Sequence, residues 1–184
     1  MENTYFQLYE KMHKVPGINQ NFFQDAFAYL IPRPCTIQIL RAYLPIIEIG
    51  AGKAYWAHLA VRQTTQHKDY DCYDFKPKPN TFYPVKGGTG EVVANYNTDW
   101  NLFVCSPDYE TDQLSESLEN FKGRFFIFAG DKERLDKYTL DLIDEKFNLW
   151  REMPLPKFNI KKDDFFRVYK RLDFDVNTTF DPIH

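Results

Sequence analysis

The sequence predicts a single α/β domain: a Rossmann-like, mostly parallel sheet with helices on both faces and an antiparallel final strand. Three observations carry that expectation. Short apolar runs such as Ile46-Ile47-Glu48-Ile49, Asn101-Leu102-Phe103-Val104-Cys105 and Phe125-Phe126-Ile127-Phe128 alternate with segments of helical periodicity. The runs are too continuously apolar for a sheet with one wet face, so both faces must be covered. Two strand-like stretches, Phe147 to Arg151 and Phe165 to Lys170, follow with no helix between them, and strands joined this way pair antiparallel.

In chain order, Tyr5, Leu8, Tyr9 and Met12 recur at helical spacing behind the capping candidates Asn3 and Thr4, and Pro16-Gly17 ends the segment. This predicts a peripheral N-terminal helical extension over residues 1–20. Phe22, Phe23, Ala26 and Phe27 predict a second helix, which must stop before Ile31-Pro32-Arg33-Pro34 because a proline disfavours helix just upstream. A third helix turns Ile37, Leu40 and Leu44 inward. The strand at Ile46-Ile47-Glu48-Ile49 then runs into a Gly50-Ala51-Gly52 turn and a helix carrying Tyr55-Trp56-Ala57-His58-Leu59-Ala60. A second strand is expected at Asp71-Cys72-Tyr73, ending on Asp74, and a third at Val92-Val93-Ala94-Asn95-Tyr96 after the loop Gly87-Gly88-Thr89-Gly90. Beyond the strand at 101–105, Leu114, Leu118 and Phe121 mark an amphipathic helix closed by Gly123. After the strand at 125–128 and Gly130-Asp131, a helical stripe carries Leu135, Tyr138, Leu142 and Ile143. Residues 172–184 read as an irregular tail.

A chain of 184 residues suits one domain, 1–184, and is long enough to bury a core without disulfides or structural metal. Aromatic residues make up 17% of it, enough both to build the core and to line a binding surface. A net charge of -3 and a pI near 5.8 provide no basic footprint for nucleic acid. Cys35, Cys72 and Cys105 are odd in number and widely spaced, which argues against a disulfide framework or zinc site and predicts reduced, buried thiols and no metal. The N-terminus lacks the features of a signal peptide and no run reaches transmembrane length, so a cytoplasmic location without a membrane partner is expected.

The chemistry concentrates at the glycine turn. Neither Gly50 nor Gly52 carries a Cβ, so a ligand can approach the backbone N–H groups there; an ordinary tight connection is the competing reading. Asp74 lies 22 residues after Gly52, at the end of the next strand, where a carboxylate can accept both hydroxyl protons of an adenosine ribose. Tyr55 stands where a dinucleotide fingerprint needs its third glycine, which argues against a nicotinamide oxidoreductase. Ile47 and Ala54 occupy the glycine and hydroxyl positions of a P-loop, which removes that motif. His13, His58, His67 and His184 have no sequence partners that suggest catalysis.

Glu48-Ile49-Gly50-Ala51-Gly52 resembles motif I of the class I S-adenosylmethionine-dependent methyltransferases. Ala54 takes the family's third glycine position, where alanine is tolerable if its φ stays negative, and Lys53 replaces a small or hydroxyl residue. Ala28-Tyr29-Leu30-Ile31-Pro32, Glu48 through Trp56, Tyr73-Asp74, Tyr83-Pro84-Val85 and Leu102 through Tyr109 together look like a little-characterised methyltransferase-like family. Leu149-Trp150, Pro154-Leu155-Pro156 and Val168 through Arg171 extend the resemblance, which spans roughly 22–171. It implies S-adenosyl-L-methionine as cofactor, bound by Tyr29, Glu48, Gly50, Ala51, Gly52, Tyr55, Trp56, Asp74 and Cys105. It also implies methyl transfer to a nitrogen or oxygen of an unknown substrate.

Ser106-Pro107-Asp108-Tyr109 takes the place of the family's fourth motif, a polar or aromatic residue, two prolines and an aromatic. By that resemblance Ser106 and Pro107 hold the target atom and Tyr109 stacks on a planar substrate. Asp108 replaces the second proline, as a base or as a mark of lost activity. With Lys53 and Ala54, it motivates the alternative of a catalytically inactive methyltransferase-fold binding or assembly module. The short stretch from Asp74 to Asn101 leaves little room for a substrate-recognition insertion.

Overall fold

The computed structural model describes residues 3–62, 69–157 and 163–174. His67, His184 and residues 175–184 of the expected tail lie outside the described residues. Seven strands form one sheet: β1 (Ile46–Ile49), β2 (Tyr70–Asp74), β3 (Val85–Gly87), β4 (Asn101–Cys105), β5 (Phe125–Gly130), β6 (Phe147–Pro154) and β7 (Phe165–Arg171). Their order is β3-β2-β1-β4-β5-β7-β6. The first five run parallel, and β7 inserts antiparallel between β5 and β6, as expected for strands with no helix between them. The chain winds outward from β1 to β3 and then returns past β1 to β4. The C-terminal ends of β1 and β4 therefore flank a topological switch point, where open α/β sheets form their crevice.

Six α-helices are described: α1 (Thr4–Met12), α2 (Gln20–Ala26), α3 (Pro34–Ala42), α4 (Tyr55–Val61), α5 (Gln113–Asn120) and α6 (Lys137–Lys146). Strand alternation splits β1 between two cores: Ile46 joins the layer under α1, α3 and α4, while Ile47 and Ile49 join the layer under α5 and α6. The first core is built on Tyr5, Leu40, Trp56, Phe103 and Phe166, and the second on Leu118, Phe126, Ile143 and Tyr169. Both faces of the sheet are thus covered, which is why its central strands are apolar throughout.

Several expectations need correction. Helix α1 is not peripheral: Tyr5 is 0% exposed, stacks on Phe27 with ring centroids 5.0 Å apart, and donates its backbone N–H to the Tyr55 hydroxyl at 3.2 Å. Asn3 caps the helix by accepting from Phe6 N, donates to Pro32 O at 2.6 Å and accepts from Tyr55 Oη at 3.2 Å. Val92–Tyr96 is not a strand; residues Gly90–Asn95 form a 3-10 helix, and Val85–Gly87 pairs with β2 instead. In that run Val93 alone is fully buried, and Gly90 lets the segment lie against α5, since a Cβ there would stand 2.6 Å from Ser117 N. Tyr138 is 55% exposed because Asp136 caps α6 and starts it at Lys137, which turns Thr139, Leu142 and Ile143 inward. Leu44 follows the end of α3 and is only half-buried. All three cysteines are free, but Cys35 is exposed on the outer side of α3's first turn, Cys105 is half-buried, and Cys72 alone is buried.

Among the described residues no helix is long and apolar enough to cross a membrane, and no group of three His, Cys, Asp or Glu side chains could hold a metal ion.

Candidate functional site

The turn after β1 is left-handed at three positions: Gly50 at φ +71°, Gly52 at φ +55° and Ala54 at φ +53°. Ala54 therefore departs from the negative φ expected of an alanine there. The left-handed region costs a residue with a Cβ on the order of 1 kcal/mol. Hydrogen bonds hold the loop in place: Ala54 N donates to Ala51 O at 2.7 Å, and Ala51 N donates to Tyr73 O at 3.0 Å. Ala54 is itself buried, so its methyl recovers part of the strain. Beside Gly52 the loop is open, and a Cβ placed there would meet nothing within 4 Å.

Asp74, at the end of β2, is joined to this loop. Its Oδ2 accepts from Gly52 N at 2.9 Å and its Oδ1 from Lys76 N at 2.9 Å. Each carboxylate oxygen has lone-pair room for a second hydrogen bond, so both keep capacity toward the crevice. Gly88 N, just past β3, donates to Asp74 O at 3.1 Å and brings a third strand end to the same rim. The next residue, Phe75, is 78% exposed and was missed in the sequence. Its signal is position: an aromatic directly after a strand-terminal acid, where no core requires it.

The remaining expected ligand contacts divide by depth. Glu48 faces the same layer as Ile46, in register with Cys72 and Phe103, and is 2% exposed. It accepts from Tyr70 Oη at 2.8 Å and from Cys72 Sγ at 3.7 Å. Burial pushes its carboxyl up to about 8, against the opposing effect of those two hydrogen bonds, so it lies neutral beneath the loop at pH 7. Tyr55 is buried and bridges Tyr5 N and Asn3. Trp56 is 1% exposed, stacked 6.0 Å from Phe166, and its Nε1 has no hydrogen-bond partner among the described residues. Cys105 ends β4, and burial raises its thiol well above the ordinary range. Tyr29, by contrast, projects from the surface and contributes its carbonyl to Gln24 Nε2.

The segment after β4 is only partly open. Ser106 has φ +48°, with its N–H donated to Ala129 O at 2.7 Å, and Pro107 is buried. A non-glycine residue in that conformation, at the end of a central strand beside the crevice, is local strain of the kind that clusters at working sites. Asp108 is exposed and closes a turn by accepting from Glu110 N at 3.2 Å. Tyr109 folds back toward β5: its hydroxyl accepts from Asp131 N at 3.1 Å and the Arg134 guanidinium lies 3.9 Å from its ring centroid. Burial pushes that phenol up to about 12. His58, on α4, packs against Tyr55 and Phe82, and burial lowers its pKa. Gly50, Ala51, Gly52, Asp74, Cys105 and Ser106 thus meet at the ends of β1, β2 and β4. Glu48, Tyr55 and Trp56 lie beneath them, Tyr109 behind, and Tyr29 and Asp108 on the surface.

No family model and no curated protein matches this sequence. Solved structures do match its fold. The N-methyltransferase NodS from Bradyrhizobium japonicum WM9, in complex with S-adenosyl-L-homocysteine, superposes with a TM-score of 0.53 at 12% identity, covering 94% of this chain and 100% of that one. The O-methyltransferase from Bacillus cereus, also in complex with S-adenosylhomocysteine, gives 0.52 at 10% identity, over 91% of this chain and 96% of that one. TrmK from M. capricolum, with the same cofactor product, gives 0.52 at 12% identity over 72% of this chain, which spans 64% of the TrmK chain. With its strand order and its glycine turn at the switch point, this chain has the fold of the class I S-adenosylmethionine-dependent methyltransferases.

Proposed function

We propose that this protein binds S-adenosylmethionine at the glycine turn and transfers its methyl group to a nitrogen or oxygen nucleophile. The observation that carries the reading is Asp74, tied at 2.9 Å to the N–H of Gly52 with acceptor capacity left over, beside a loop open at that glycine. The residues fit the cofactor. Asp74 suits the two ribose hydroxyls, exposed Phe75 suits the face of an adenine, and Trp56 Nε1 is a buried donor in need of an acceptor. Neighbours of the same fold crystallised with the demethylated cofactor support the choice.

S-adenosylmethionine supplies a methyl group already activated on a sulfonium, so the protein's contribution is positioning and exclusion of water. Asp74 fixes the adenosine end. Ser106, at the end of β4 with φ +48°, would supply a hydroxyl or carbonyl to the target atom, and buried Pro107 follows it in the turn. No strong base is required at the methyl itself, in keeping with the placement of Asp108 in a surface turn.

Titration calorimetry with S-adenosylmethionine tests the reading. Binding is expected, and Asp74→Ala is expected to weaken it by roughly 10- to 100-fold, the worth of hydrogen bonds to a charged acceptor. Absence of heat from the unaltered protein, with no adenosine compound in its mass spectrum as purified, would sink the proposal.

A further inference from the structure

The net charge of -3 hides an uneven distribution. From Phe75 to Gly90, the segment that leaves β2 and runs through β3, the chain carries Lys76, Lys78 and Lys86 and no acid. After β4, Ser106 to Asp112 carries Asp108, Glu110 and Asp112 and no basic residue. Lys86 is paired with Asp71 at 2.6 Å. Lys76 and Lys78 are exposed and Lys53 is half-buried, and none of these three side chains has a hydrogen-bond or ion-pair partner among the described residues.

The three lysines rise from one rim. Asp74 gathers their backbones, since its carboxylate accepts from the N–H of Gly52, just before Lys53, and from the N–H of Lys76, both at 2.9 Å. Phe82 N closes the far side of the loop on Lys53 O at 2.8 Å. Lys76 and Lys78 each precede a proline, which biases both toward extended backbone. Phe82 is 39% exposed although Phe27 stacks on it at 6.2 Å and Tyr55 packs on it at 4.9 Å, so it is an anchored ring with surface to spare. Strands β2 and β4 both pair with β1, which sets the rim about 10 Å from the end of β4 and Ser106.

Unpaired cations beside a partly exposed aromatic ring suit a single-stranded nucleic acid: lysines track its phosphates, and a ring face takes a base whatever its identity. We infer that Lys53, Lys76 and Lys78, with Phe82, form the phosphate-binding rim for a single-stranded nucleic-acid substrate. The acidic turn at 106–112 repels a phosphate backbone, so the strand follows the lysines and presents a base or a ribose hydroxyl to Ser106. The inference rests on the methyl-transfer reading above and names the acceptor. A nitrogen or hydroxyl oxygen of the strand takes the methyl carbon, the electron pair of the methyl–sulfur bond returns to sulfur, and the acceptor's proton passes to water.

Fluorescence anisotropy with a labelled polyuridine strand of about 12 nucleotides, titrated at several salt concentrations, tests this. Binding is expected, and the combined variant Lys53→Gln, Lys76→Gln, Lys78→Gln should weaken it about tenfold or more at an unchanged urea midpoint. It should also flatten the slope of log affinity against log salt by about 2, at roughly 0.7 per phosphate. Phe82→Leu should weaken binding roughly 5- to 10-fold through the lost stacking face. Three matching substitutions at Lys137, Lys146 and Lys170, on α6 and β7 toward the opposite edge of the sheet, should cost less than about twofold, because distant charges are screened. No binding by the unaltered protein, or equal losses from the two triple variants, overturns the inference. So does displacement of the strand by polyglutamate at equal charge, which would assign the rim to an acidic protein. Calorimetry with S-adenosylmethionine separates the two readings: cofactor binding without strand binding overturns the rim alone, while strand binding without cofactor binding overturns methyl transfer and, with it, the strand's role as substrate.

Discussion

At the scale of single residues, Glu48 has the most readable consequence. Its carboxyl has an ordinary pKa of 4.5 and is pushed up to about 8 by complete burial, which outweighs the hydrogen bonds from Tyr70 and Cys72. Between about pH 4.5 and 8 the folded chain therefore keeps a proton that the unfolded chain has lost. Stability contributed by the neutral carboxyl is complete below pH 4.5 and is lost as pH rises toward 8. Glu48→Gln, neutral at every pH and of similar shape, should match the parent at pH 5 within about 1 kcal/mol and exceed it at pH 9. Urea midpoints at pH 5, 7 and 9 check this; a constant difference across the three would mean that burial does not hold the group neutral. The acid itself was legible in the sequence as part of the glycine motif. Its inward direction was not, because a strand buried on both faces carries no polar alternation to give its sides away.

At the scale of elements, what could be read was what has a strong local signature: the β1-turn-α4 unit, the carboxylate ending β2, and the antiparallel hairpin of β6 and β7. Val85–Gly87 escaped because three residues running into glycines show no period. Val92 to Tyr96 looked like a strand by composition, and only the approach of α5 makes it helical. Likewise the burial of Tyr5 depends on Phe23, Phe27 and Tyr55, which come from other helices. The 3-10 helix can be tested through its first residue. A Cβ at Gly90 would lie 2.6 Å from Ser117 N and 2.9 Å from Gln113 O, backbone atoms that cannot swing aside. Gly90→Ala should therefore cost about 1–3 kcal/mol in urea denaturation, as an overpacked contact does. A Cβ at Gly87 meets nothing within 4 Å, so Gly87→Ala should be neutral or slightly stabilising. Equal effects at the two sites would mean that the segment does not seat against α5.

At the scale of the whole molecule, the N-terminal helices and the sheet act on one another through the crevice. Asn3 ties α1 to Pro32 and Tyr55, and Asp74 ties β2 to the loop that opens α4. A ligand seated among these groups bonds to the folded chain alone, and at 100 times its dissociation constant it should add about 2.7 kcal/mol. For a chain of this size that is a rise of roughly 5–10 °C in the unfolding midpoint. Because the anchoring of α1 passes through the same groups, the gain should reach residues 4–12 as well as the glycine turn. S-adenosylmethionine is therefore expected to raise a single thermal transition and to slow amide hydrogen exchange in α1 and at residues 50–54 together. Slowing confined to the turn, with α1 exchanging as before, would mean that the first helix is an appendage to the domain rather than a wall of its site.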